Sequence, residues 1–152
     1  MIRYQRGVTI VESMVAVVIL GVGLVGVLLM QGRAYGALSD AASRTEAALA
    51  ADKLVGIMTT DQGNLSDYAL AEGGTPSAKL ADWYADTGAE IPDAAIRIEV
   101  DPVAGSTRSQ IDVVISWPRR GQAAGTAHCS TTNAANPACH THAVTAYIAQ
   151  SK

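Results

Sequence analysis

Residues 6–20 read Arg6-Gly7-Val8-Thr9-Ile10-Val11-Glu12-Ser13-Met14-Val15-Ala16-Val17-Val18-Ile19-Leu20, and the apolar run continues through Met30. No charged side chain occurs between Ser13 and Gln31. A run of roughly 20 apolar residues suffices to cross a bilayer as a helix. Arg3 and Arg6 precede it, which predicts a cytoplasmic N-terminus and an exported remainder. A plain anchor and a secretory signal peptide both fit that outline. For the signal peptide, Ala34 and Gly36 supply small residues before a cut at Ala37. The run is longer than the apolar core of a signal peptide, which is about 7–15 residues. Glu12 separates the readings. A carboxylate inside a membrane helix costs up to about 2.5–3.5 kcal/mol at mid-bilayer and less at the edge. Neither an anchor nor a signal peptide needs it, so the acid points to a function within the membrane-spanning helix.

With Arg6-Gly7 before Val8-Thr9-Ile10-Val11-Glu12, the stretch resembles the class III signal of type IV pilins and pseudopilins. In that family a short basic leader ends in Gly, and a Glu stands fifth in the mature chain. The resemblance implies that a prepilin peptidase cuts between Gly7 and Val8 and that Val8 becomes the N-methylated first residue. Glu12 is then the fifth. Phe or Met is usual where this chain has Val8. In the family, the acid pairs with the N-terminal amine of a neighbouring subunit and sets register, as a buried carboxylate needs a partner. Gly21, Gly23, Gly26, Gly32 and Gly36 would permit close helix approach, and Gly32/Gly36 has small-xxx-small spacing.

Beyond Arg33 the helical pattern turns amphipathic. Leu38, Ala42, Thr45 and Leu49 make one stripe, followed by Leu54, Ile57 and Met58, with Asp40, Arg44, Glu46, Asp52 and Lys53 on other faces. No Pro interrupts residues 8–58, which predicts one continuous helix. The expected organisation is a leader at 1–7, a membrane or filament-core helix at 8–32, an amphipathic spine at 33–58 and a globular head at 59–152. Within the head, residues 59–93 read as loop plus a helix over 78–87, with Leu80, Trp83, Tyr84 and Thr87 on one face. Residues 94–150 read as an antiparallel sheet. Ile96, Ile98 and Val100 alternate with Arg97, Glu99 and Asp101; Ile111, Val113, Ile115 and Trp117 repeat the pattern; Val144, Ala146 and Ile148 suggest a last strand. The fold class is α+β, pilin-like: a long N-terminal helix packed on a small antiparallel sheet. Asp82-Trp83, Ile91-Pro92 and the strand ending Val114-Ile115-Ser116-Trp117 resemble the PilV type of minor pilin.

Cys129 and Cys139 bracket a Ser/Thr/Asn/Ala/Pro stretch, with His128 before it and His140 and His142 after it. A disulfide in an oxidising compartment is one reading. A metal site drawn from His128, Cys129, Cys139, His140 and His142 is the other, although the spacing lacks a close Cys pair. A disulfide-bounded C-terminal loop also matches many pilins.

The chain has 11 Lys+Arg against 14 Asp+Glu, and loss of Arg3 and Arg6 would make it more acidic. That argues against a nucleic-acid partner, the adjacent Arg119 and Arg120 notwithstanding. No catalytic constellation, phosphate loop or cofactor motif stands out. The expected role is therefore assembly rather than catalysis. The resemblance implies a minor pilin that primes a type IV pilus at or near its tip, with no cofactor. Implied partners are other minor pilins, the major pilin, prepilin peptidase, an inner-membrane assembly platform and a tip adhesin. The implied location is the inner membrane with a periplasmic head, then the filament. A type II secretion pseudopilin and a secreted binding module remain as alternatives.

Overall fold

The computed structural model describes residues 8–119, 129–132 and 136–149. Helix α1 spans Val8–Thr60 without a break, as expected of a stretch free of Pro and rich in Ala and Leu. The chain divides into two compact units, one ending at Leu38 and the other beginning at Ser39. The first is α1 up to that point. Its large apolar side chains, from Ile10 to Met30, are exposed in the single chain.

In the second unit, α1 is followed by a 3-10 segment at Gln62–Tyr68, helix α2 at Ala81–Glu90, and strands β1 at Ala95–Pro102, β2 at Arg108–Pro118 and β3 at Cys139–Ala149. The strands form an antiparallel sheet in the order β1-β2-β3. Ile98 lies opposite Val113, and Val113 opposite Val144. This register puts Ile96, Ile98, Ile111, Val113, Ile115 and Ile148 on one buried face. That face joins Ala47, Ala50, Ala51, Leu54 and Met58 of α1 in a single core with Leu65, Tyr68, Leu70, Leu80, Trp83, Ile91 and Trp117. The arrangement is α+β and pilin-like, with helix packed on antiparallel sheet.

Leu54, Ile57 and Met58 pack as expected, but the earlier part of the spine stripe differs. Leu38 and Leu49 are 67% and 58% exposed, and Ala42 and Thr45 also face solvent. The face that packs runs through Ala47, Ala50, Ala51, Leu54 and Met58, with Ile57 half-buried against it. Both sets satisfy helical spacing. Bulk favoured the leucines in the sequence, whereas packing favoured the alanines. The small side chains let Trp83 reach the helix backbone, where its Nε1 donates to Ala50 O at 2.9 Å.

Helix α2 sits three residues later than expected, and its buried face is Leu80, Trp83 and Thr87, with Tyr84 half-buried. A turn from Ser77 to Leu80 occupies the earlier positions. The helix ends before Pro92, because a residue preceding Pro is driven out of the α region; Ile91 sits at φ −122, ψ 87. The 3-10 segment was not anticipated. Asp61 organises it, accepting from Asn64 Nδ2 at 2.6 Å, Tyr68 Oη at 3.0 Å and Lys79 Nζ at 2.5 Å. Strand β2 begins at Arg108, just past the hairpin turn in which Gly105 takes φ +75. Strand β3 begins at Cys139, five residues before the apolar alternation that marked it, since His140 and Thr141 pair with Trp117 and Ser116.

Candidate functional site

Two regions carry chemistry: the start of α1, and the place where β3, α1 and the cysteines meet. At the start, Val8 is the first described helical residue, and the leader 1–7 with Gly7 lies outside the described residues. Glu12 is exposed on the first turns, at the head of a helix long and apolar enough to cross a membrane. Among the described residues no side chain bonds to its carboxylate. A Cβ built on Gly21, Gly23, Gly26, Gly32 or Gly36 would meet nothing within 4 Å in the single chain. Those positions therefore leave open surface on α1. Ala34, Gly36 and Ala37 lie inside the unbroken helix.

In the second region a disulfide joins Cys129 and Cys139, whose Cα atoms are 5.7 Å apart. The bond takes both sulfurs away from any metal, and among the described residues no group of three His, Cys, Asp or Glu is arranged to hold one. His128 lies outside the described residues. The segment after Cys129 is held by Glu72, a residue the sequence did not mark. Its Oε2 accepts from Thr131 N at 2.8 Å, from Ser130 Oγ at 3.0 Å and from Thr131 Oγ1. The Thr131 hydroxyl lowers the Glu72 pKa against a slight desolvation, and the Thr131 N–H, Ser130 and the nearby Arg97 charge lower it further. Glu72 owes its position to the turn behind it. Gly73 takes φ +71, and a Cβ on Gly74 would lie 2.9 Å from Ala71 O, so neither position suits another residue.

His140 and His142 entered the sequence reading as ligands of the alternative metal site. Both are on β3, where His140 is 6% exposed and His142 half-buried. Their register opposite Trp117 and Ile115 turns them to the core face. The His140 ring packs at 45° to Trp117, centroids 5.7 Å apart. Its Nδ1 lies 3.0 Å from Arg44 Nη2, and its Nε2 lies 3.3 Å from Asp40 Oδ2. Sequence alone placed Asp40 and Arg44 on faces other than the apolar stripe. Their spacing of four put them on one side of the helix, but only the fold showed which strand they meet.

Residues 2–28 match the family model for the prokaryotic N-terminal methylation motif. The match covers the basic leader, Glu12 and most of the apolar helix, and it does not extend to the head. It marks a pilin-like N-terminus. No curated protein and no solved structure matches the chain significantly.

Proposed function

We propose that this chain is a minor pilin, inserted in the inner membrane as a precursor and built into a type IV pilus at or near its tip. The observation that carries the reading is the methylation motif over residues 2–28, with Glu12 standing fifth after Gly7 at the head of an uncharged apolar helix. Prepilin peptidase cuts after Gly7 and methylates Val8. The apolar part of α1 holds the precursor in the bilayer with the head in the periplasm. In the filament it packs among the helices of other minor pilins and the major pilin. There Glu12 meets the Val8 amine of a neighbour. In that apolar surrounding the pair fixes axial register more than it adds stability. The disulfide fits an oxidising compartment. The inner-membrane assembly platform and a tip adhesin are the further partners of this role. The work is structural, and no part of it asks for a cofactor or a catalytic group.

The same motif serves a type II secretion pseudopilus, and this is the second reading. Sheared filaments decide between them. A minor pilin appears in pili at a small fraction of the major subunit, and its deletion lowers piliation while leaving protein secretion intact. Glu12→Gln should still be cleaved and should drop out of the filament fraction. Normal piliation with lost secretion would establish the pseudopilin instead. Incorporation of Glu12→Gln at the normal level would remove Glu12 from assembly.

A further inference from the structure

The environment of His140 suggests a device in the head that the pilin reading does not require. Arg44 only donates hydrogen bonds, so at 3.0 Å the Nδ1 it approaches must carry a lone pair. The neutral ring then carries its proton on Nε2. That N–H is buried and lacks a well-aimed acceptor, although Asp40 Oδ2 is only 3.3 Å away. Neutral His140 is thus bonded on one side and poised on the other. Asp40 and Arg44, four apart on α1, straddle the ring.

We propose that His140 is a proton-operated latch between α1 and β3: neutral, it holds the Arg44 guanidinium; protonated, it drops Arg44 and pairs with Asp40. The proton comes from water and enters at Nδ1, removing the lone pair that receives Arg44. Two N–H groups and two positive charges then face each other at hydrogen-bond distance, which is repulsive. Arg44 has solvent to move into, since it is exposed. His140 cannot follow, being packed on Trp117 at the start of β3 beside the disulfide. Its new charge is met by Asp40, whose side chain is 32% exposed. Among the described residues the other groups facing the ring do not compete. Trp117 of β2 does not titrate in this range, Cys139 is in the disulfide, and Arg119 beyond β2 is exposed. His142, two positions along β3 on the same face, adds a second buried Nε2 without a partner and no negative charge. Acid therefore releases one guanidinium from the spine helix near the disulfide.

The test is nitrogen-15 NMR of the full-length chain in detergent micelles, following the histidine rings and the Arg44 side chain from pH 8 to pH 5. Expected at pH 8 is a single Nε2–H tautomer of His140, with Arg44 N–H exchange slowed. On acidification the Arg44 protection disappears as His140 titrates. Arg44→Met should move the His140 transition to higher pH and Asp40→Asn should move it to lower pH. Arg44 is exposed and Asp40 half-buried, and dispersed backbone spectra would verify folding of both variants. His142→Gln should leave tautomer and midpoint in place. An Nδ1–H tautomer at pH 8, a midpoint unmoved by both substitutions, or Arg44 protection that persists through the titration would each overturn the latch. So would a shift from His142→Gln as large as that from Arg44→Met.

Discussion

Glu72 shows how a single exposed carboxylate organises a segment far away in sequence. Its pKa is depressed, so the ionised form is the one that binds Ser130 and Thr131. The contribution is fully present above the ordinary carboxylate value of about 4.3. It is lost as pH falls through the lower folded value. Hydrogen exchange at residues 129–132, corrected for intrinsic rates, should therefore stay slow at pH 6 and quicken toward pH 3. Glu72→Gln should be fast at both, because the neutral amide accepts more weakly. Equal protection in the variant and the parent would show that the disulfide alone holds the segment. Trp83 makes a second prediction at this scale. Trp83→Phe keeps most of the ring and loses the indole N–H bond to Ala50 O. Denaturant unfolding should report a loss of about 1 kcal/mol, against about 3–5 kcal/mol for Trp83→Ala.

At the scale of elements, Leu49 and Leu54 of α1 test which face packs. Leu54 is fully buried and Leu49 is 58% exposed. Leu54→Ala should cost about 2–5 kcal/mol in head stability, while Leu49→Ala should stay within about 0.5 kcal/mol. Equal losses would restore the stripe that the leucines suggested. Strong, long patterns were readable from the residues: the uninterrupted helix, the alternation of β1 and β2, and the Trp83 face of α2. The spine's packing face was less readable, because Ala47, Ala50 and Ala51 signal only through what they allow to approach. The start of β3 was hidden for a related reason, since Cys-His-Thr-His has no apolar alternation and is drawn into the sheet by pairing with β2. Glu72 left no sequence signal beyond the Gly-Gly that follows it, and its partners lie 58 and 59 positions away. The disulfide closes a separation of 10 residues. Replacing both cysteines by Ser should cost up to about 3 kcal/mol through the freedom returned to the unfolded chain. An unchanged denaturation midpoint would contradict that.

At the scale of the whole molecule, a helical start long and apolar enough to cross a membrane precedes a separately packed α+β head. Glu12 has no bonded partner among the described residues, and a Cβ on Gly21, Gly23, Gly26, Gly32 or Gly36 would meet nothing within 4 Å. If the chain is the minor pilin proposed above, both the acid and the glycines find their use only when several chains assemble after the proposed cut behind Gly7. The measurement that tests this most directly is the mass of the mature N-terminal peptide from the membrane fraction, taken with prepilin peptidase present and absent. The account predicts a chain beginning at N-methyl Val8 only when the peptidase is present. A chain beginning at Ala37, or still at Met1 in both cases, would contradict it.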